Sequence, residues 1–349
     1  MKITDVLVNR LMQLAGLKFK GKHLRAFLLY NNPKKFLNYL RANSEKKKRK
    51  IELKSLPYVL NLEPNNTCNL KCPLCWVPNP IKPKGYMSFE NFKKVIDEIG
   101  DYLYLLNLYN LGEPLLHKDI YRMIEYANKK KIFTSISSNF LIFNEEDADK
   151  MIASGLDYLR ISLDGTSQET YQQYRVGGNY NKVIENIELL VSKKKKIKSK
   201  IPFIDWQFLI FKHNEHEISN VKPLAEKLGV DGVLISSAHA YGHEKEWLSE
   251  ERGEYYANPE NIDSFCFLWN QVLINYDGEV APCCSHIAQI APEFGNIFRQ
   301  SFKEIWNNEK FKSARAIFSS SDEHKQRIEN LVCYQCSIAI PFLSKENRK

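Results

Sequence analysis

From residue 57 to residue 236 the sequence alternates short apolar runs with amphipathic stretches, and that alternation leaves few folds open. Tyr58–Glu63, Tyr102–Asn110, Ile132–Ser138, Tyr158–Leu163, Pro202–Phe211 and Gly232–Ser236 read as strands. Between them the pattern predicts helices from about Ser88 and over Ile120–Lys130, Glu145–Ser154, Tyr180–Lys194 and Glu215–Leu228. Ser88, with Asn91 and Phe92 behind it, offers N-capping chemistry. Six such repeats imply an α/β fold whose parallel sheet has right-handed crossovers. A sheet of this kind places its reactive groups on the loops after the strand C-termini.

The loop after the first strand reads Cys68-Asn69-Leu70-Lys71-Cys72-Pro73-Leu74-Cys75, three thiols within eight residues. Thiolates are soft ligands suited to iron–sulfur clusters. A four-iron cluster on three cysteines keeps one iron open to an outside ligand. The competing readings are three unrelated buried cysteines or a zinc knuckle. Zinc usually takes four ligands, and no fourth lies nearby in the sequence.

The C-x3-C-x2-C spacing resembles the signature of the radical S-adenosylmethionine (SAM) enzymes, and the resemblance covers about residues 57–236. It implies a partial (β/α)6 TIM-like barrel and a [4Fe–4S] cluster on Cys68, Cys72 and Cys75, with SAM on the open iron. Leu111-Gly112-Glu113-Pro114 is similar to the family's GGEP turn, with Leu for the first Gly. The resemblance gives Gly112 and Glu113 the task of holding the SAM ammonium. Ser137-Ser138-Asn139 stands where the family often has Thr-Asn-Gly, and Phe140 departs from the usual Gly. Ser162-Leu163-Asp164-Gly165 is similar to S-x-D-G, which implies that Ser138, Ser162 and Asp164 lie near the SAM ribose and carboxylate. Arg175 matches a basic residue that pairs with the methionyl carboxylate, a task suited to a planar, permanently charged guanidinium. An exposed Arg at a helix end is the plainer reading. Leu74 takes a position often aromatic in the family, so adenine would pack on aliphatic surface or on Trp76. No catalytic side chain beyond these is identified.

A second cysteine set follows a stretch, 237–265, that reads as a linker. Cys266 is followed by eleven residues and Gly278, then four residues and Cys283, with Cys284 adjacent; Cys333-x2-Cys336 closes the set. Asn275-Tyr276-Asp277-Gly278 is a hairpin-turn signal between two strands, and a helix is expected over Ser301–Ile317. The set resembles the C-terminal SPASM/twitch extension of radical SAM enzymes, down to Asp-Gly-Glu-Val-Ala-Pro-Cys. Residues 266–349 would then form a small α+β domain. Four matching positions imply one auxiliary [4Fe–4S] cluster on Cys266, Cys283, Cys333 and Cys336, with Cys284 spare. A zinc ribbon could use the same thiols.

Charge sets the N-terminus apart. Residues 1–54 hold fifteen Lys or Arg against three Asp or Glu, while the chain as a whole is only +9. Val6, Leu7, Leu11, Leu14 and Leu17, then Leu24, Phe27 and Leu28, then Phe36, Leu37 and Leu40, recur near helical spacing, with Pro33 placed to begin a helix. Residues 1–56 therefore read as a basic helical arm. Its plain role is to cover the barrel and end in a solvated charge run, Lys46–Lys50. It could instead meet an anionic membrane or carrier. Clustered cations also suit nucleic acid, but no recognisable nucleic-acid-binding fold accompanies them. No run of about 18 apolar residues suggests a membrane span. No signal-like apolar stretch opens the chain, and its eight cysteines suit a reducing compartment. The cytoplasm is the expectation.

Together the resemblances imply an enzyme that cleaves SAM reductively to a 5′-deoxyadenosyl radical and abstracts hydrogen from a substrate, with a reducing partner such as flavodoxin or ferredoxin. Oxidation or rearrangement of a small polar, sugar-like or carrier-linked substrate is the favoured reading. Residues 1–56 are too short for the winged-helix domain that peptide-modifying relatives often carry. Maturation of a ribosomally made peptide by crosslinking, epimerisation or oxidation is the alternative. A zinc-bearing binding module is the reading outside enzymology.

Overall fold

The computed structural model describes residues 21–78, 82–240, 242–248, 266–283, 294–319, 331–336 and 339. Helices α1 (Gly21–Tyr30) and α2 (Pro33–Lys47) precede the sheet. There follow β1 (Val59–Leu62), α3 (Phe89–Ile99), β2 (Leu105–Asn107), α4 (Ile120–Lys129), β3 (Phe133–Ser138), α5 (Glu145–Ala153) and β4 (Tyr158–Ser162). Next come α6 (Gln168–Tyr174), α7 (Tyr180–Lys196), β5 (Phe203–Ile210), α8 (Ile218–Leu228), β6 (Gly232–Ser237) and α9 (Glu244–Trp247). The C-terminal part adds β7 (Gln271–Ile274), β8 (Val280–Ala281), α10 (Phe302–Trp306) and α11 (Glu309–Ala316).

The six predicted strands are all present and parallel, in the order β6-β5-β4-β3-β2-β1. Ser88 caps α3 by accepting from Asn91 N. Strand β2 is shorter than expected at both ends, and a 3-10 turn at Gly100–Tyr102 precedes it. Helix α6 was not expected, and the single helix expected over Ser301–Ile317 is two. Asn307 ends the first and Asn308 caps the second, its side chain accepting from Phe311 N.

Sheet parity decides what each face does. Leu60, Leu62, Leu106, Ile136, Leu159, Ile161, Ile204, Trp206 and Phe208 join the core formed with the outer helices. The intervening residues, Asn61, Asn107, Ser135, Arg160 and Asp205, therefore point to the opposite, inner face. The sheet does not end at β1. Strand β7 pairs parallel with β1, Val59 opposite Gln271 through Leu62 opposite Ile274, and β8 returns antiparallel. The cysteine-rich C-terminal segment thus extends the barrel's own sheet, an open sheet of eight strands among the described residues.

The arm closes the N-terminal end of the sheet. Leu24, Phe27 and Tyr39 pack with Tyr58, Val59, Tyr104, Leu105, Phe133 and Tyr158 in one buried cluster. The apolar spacing of α2 misleads, however: Leu37 and Leu40 are exposed, as is Leu28 of α1. The buried face of α2 is largely polar, with Lys35, Asn38 and Glu45. It docks by hydrogen bonds. Lys35 Nζ donates to the Lys131 carbonyl, Asn38 brackets the backbone of Leu56, and Glu45 accepts from Lys54 N, Ser55 N and Ser55 Oγ. Nor is Lys46–Lys50 a purely solvated run. Lys46 Nζ donates to the Cys266 carbonyl at 3.0 Å, and Arg49 to the Phe318 carbonyl at 3.1 Å. Val6, Leu7, Leu11, Leu14 and Leu17 lie outside the described residues. Among those described, no helix is long and apolar enough to cross a membrane.

Candidate functional site

The loops after β1 to β4 enclose a cavity of about 160 Å³. Cys68, Cys72 and Cys75 line it, together with Gly112, Glu113, Ser138, Ser162 and Arg175, so the sequence motifs converge on one place. Two expected residues do not reach it. Leu74 is half-buried and packs with the Leu70 cluster. Asp164 is fully buried, its Oδ1 accepting from Leu209 N and its Oδ2 from Arg175 Nε at 2.6 Å. Strand β4 ends at Ser162, and the chain turns before Asp164 can continue the alternation.

Arg175 is not an exposed helix end. Its side chain is largely buried, and Nη1 lies 3.9 Å from Cys72 Sγ. Burial opposes its charge, but Asp164 and the Cys72 thiol outweigh that and hold its pKa well above the usual value. Glu113 is 2% exposed. Its Oε1 accepts from Ser138 Oγ and Leu115 N, and its Oε2 from Asn139 N. Burial raises its pKa against those bonds. Its visible work is to tie the second-strand loop to the end of β3. Gly112 has φ +77°, and a Cβ there would lie 2.5 Å from the Asn65 carbonyl oxygen and 2.8 Å from that of Thr67. The close approach this glycine permits is by the start of the cysteine loop.

Val77, Tyr109, Asn110 and Tyr174, which no quoted motif contains, complete the cavity, together with Leu70, Ser137 and Asn139 from within the quoted stretches. Tyr109 and Tyr174 adjoin the quoted motifs in sequence, so proximity alone could have flagged them. The segment 238–248, read as linker, supplies Ala238, Ala240 and Leu248 to the cluster behind the cysteine loop. Phe140, where the family usually has Gly, adopts φ +58° and buries its ring 4.3 Å from that of Phe143.

Glu63, at the end of β1, accepts from Asn110 Nδ2 at 3.0 Å and Leu111 N at 3.1 Å and so anchors the same loop. Burial lifts its pKa to about 7. A folded pKa above the unfolded one means Glu63 costs nothing at low pH, and its cost grows as pH rises from the unfolded value towards 7. Glu63→Gln should remove up to roughly 3 kcal/mol of that pH-dependent loss. Melting curves of the two proteins that run parallel between about pH 5 and 7 would contradict this.

The cysteine loop suits a cluster. Cys68 Sγ accepts from Leu70 N at 3.4 Å and lies 3.7 Å from Asn139 Nδ2, donors that favour a thiolate. Burial pushes the Cys68 thiol up to about 11, and Glu113, Cys72 and Cys75 add to it, so ionisation needs a cation. Among the described residues no three Cys, His, Asp or Glu groups gather at single-ion distance. Three thiols lining one cavity suit a cluster that takes three protein ligands and keeps one iron open. At the second set, Cys266, Cys283, Cys333 and Cys336 are near enough to act on one another. Burial raises the Cys333 thiol, and Cys283, Cys266 and Cys336 raise it further; Cys266 is pushed up to about 11. Four half-buried cysteines gathered in one place suit a cluster as well. Cys284 lies outside the described residues.

Comparison with known proteins agrees with this geometry. Residues 62–207 match the radical SAM superfamily and residues 266–337 the SPASM iron–sulfur cluster-binding domain. A tungsten-containing aldehyde ferredoxin oxidoreductase cofactor-modifying protein of Pyrococcus furiosus is 23% identical, over 74% of this chain and 83% of its own. The subtilosin biosynthesis protein AlbA of Bacillus subtilis is 23% identical over 72% of this chain and 60% of its own. In fold, SuiB of Streptococcus suis bound to S-adenosylmethionine superposes with a TM-score of 0.62, at 14% identity, covering 96% of this chain and 81% of that one. The open barrel-like sheet with its cysteine loop defines a radical SAM protein. The chain belongs to that superfamily and carries a SPASM domain at its C-terminal end. Members of the superfamily are enzymes, and the two domains imply a [4Fe–4S] cluster with SAM plus an auxiliary cluster.

Proposed function

We propose that this protein is a radical SAM enzyme acting on a small polar substrate, sugar-like or carrier-linked, held on the inner face of the sheet beneath the cavity. The polarity of that face carries the reading. Asn107 Nδ2 donates to Asn61 Oδ1, and Lys22 Nζ reaches Asn107 Oδ1, Tyr109 OH and Ser135 Oγ. Arg160 lies 3.6 Å from Asp205, which also accepts from Tyr158 OH, and its Nε is buried without a partner. Arg160 beside Asp205, and Lys22 among amides and hydroxyls, suit a polyhydroxylated or anionic ligand better than an apolar one.

Cys68, Cys72 and Cys75 would hold the cluster. Arg175, fixed through Nε by Asp164, would turn its other N–H groups to the SAM carboxylate, with Ser162 beside it. Gly112 and Glu113 would shape the pocket for the ammonium, and Leu70, Val77 and Tyr174 would exclude water. When bound, cluster and SAM supply one-electron chemistry that takes hydrogen from an unactivated C–H bond. A reductant such as flavodoxin or ferredoxin would feed them.

The topology bears on the auxiliary site. Cys266 precedes β7 and Cys283 follows the returning β8, so both belong to the N-terminal end of β1, away from the cysteine loop. An electron acceptor fits that placement better than a substrate ligand and makes net oxidation the favoured outcome. Peptide maturation is the second reading, supported by the likeness to AlbA and by a SuiB structure bound to its precursor peptide.

The test is anaerobic turnover with deuterated extracts separated into small-solute and peptide fractions. Deuterium should enter 5′-deoxyadenosine from the small-solute fraction, and Arg160→Met should lower the label transferred per SAM cleaved. Label arriving only from peptides would overturn the substrate class.

A further inference from the structure

Arg315 of α11 is 0% exposed, yet among the described residues no carboxylate pairs with it. Nε donates to the Leu268 carbonyl at 3.0 Å, and Nη1 to the Ile51 carbonyl at 3.1 Å and Asn307 Oδ1 at 3.3 Å. Nη2 is buried with no partner. The guanidinium carbon lies 4.5 Å from the Trp306 ring centroid and 5.2 Å from that of Phe311. A buried cation without a counterion is costly, and burial depresses this one to about 9. Its Nε bond to the Leu268 carbonyl sets it two residues from Cys266, and among the described residues Glu45 and, when ionised, Cys266 favour its charge. Glu45 is already committed to the backbone and hydroxyl of Lys54 and Ser55. That leaves the cysteine side. Lys46, from the N-terminal arm, lies on the same cysteine, bonded to its carbonyl.

We propose that Arg315 and Lys46 form a cationic seat for the auxiliary cluster, whose four thiolates supply the charge Arg315 otherwise lacks, so that the N-terminal arm helps to set that cluster's reduction potential. The proposal rests on the assignment of Cys266, Cys283, Cys333 and Cys336 as ligands. Adding an electron to an anionic cluster is easier beside fixed positive charge, and removing either cation should lower the midpoint. Both are positioning residues, acting through the cluster's surroundings and touching no substrate.

The measurement is an EPR-monitored redox titration in a Cys68→Ala, Cys72→Ala, Cys75→Ala background, where only the auxiliary signal remains. Lys46→Met should move the midpoint down, changing the reduced-to-oxidised ratio about tenfold at a fixed potential, or about 59 mV for one electron. Lys46→Arg should restore most of the shift. Arg315→Gln, which keeps a donor for the carbonyls, should lower the midpoint further; if it misfolds, the Lys46 pair still decides. An unchanged midpoint in Lys46→Met with full iron loading would overturn the proposal. Absence of any iron in the background protein would instead overturn the ligand assignment, and the proposal with it.

Discussion

Replacing Cys68, Cys72 and Cys75 together with alanine should reduce SAM cleavage to background while the C-terminal site keeps its iron. The three thiols line one cavity with Arg175 and Glu113, and among the described residues no other cysteine lines it. Loss of the set therefore has no local substitute. The core should survive, because the loop hangs from backbone contacts that alanine preserves: Lys71 N to the Val176 carbonyl and Cys75 N to the Cys72 carbonyl. Production of 5′-deoxyadenosine at the wild-type rate by a correctly folded triple variant would remove the foundation of the functional reading. Iron content should fall only by the share held at this loop.

Deleting the arm should have an effect of comparable size on stability. A chain beginning at Leu53 would expose Tyr58, Val59, Tyr104, Leu105, Phe133 and Tyr158 at once. Leu24, Phe27 and Tyr39 each contribute roughly 1.5–3 kcal/mol through burial, and their sum rivals the ~5–15 kcal/mol net stability of a typical domain. The hydrogen bonds of Tyr30 to Asp157, Lys35 to Lys131 and Asn38 to Leu56 go as well. The truncated protein should be insoluble or poor in both clusters. A soluble, fully loaded truncation would show that the arm's packing is dispensable. Membrane or carrier contact is better tested at the outward leucines: Leu28→Ser with Leu37→Ser should leave the fold intact, and co-sedimentation with anionic vesicles reports any loss.

Period and spacing made the barrel legible, since every strand alternates an outer-core residue with an inner one over a clear apolar run. They failed where polar groups do the packing. Helix α6, Gln-Glu-Thr-Tyr-Gln-Gln-Tyr, has only two turns and no apolar stripe to announce it. In α2 the leucines face out, while Lys35, Asn38 and Glu45 find backbone partners within, an arrangement periodicity reads in reverse. The break between α10 and α11 was visible only as Asn307-Asn308, residues that a helix interior tolerates and a cap prefers. At the site, motif residues whose side chains emerge from strand ends reached the cavity. Asp164, one step past the end of β4, instead positions Arg175. Arg160 and Lys22 carried no motif, because their partners, Asn107, Tyr109, Ser135, Tyr158 and Asp205, are scattered along the sequence.

The pairing of β7 with β1 has a consequence for how such proteins can be taken apart. Strand β1 is shared: one edge bonds to β2 and the other to β7. Excising residues 266–349 would leave Val59–Leu62 as a bare, apolar strand edge, the kind that recruits another chain. Exchange of the C-terminal segment between relatives is thus a graft onto a sheet, and its success should depend on whether the incoming strand matches the four-residue register that Val59–Leu62 presents. The cut that respects the molecule falls within no linker; it runs along a ladder of hydrogen bonds.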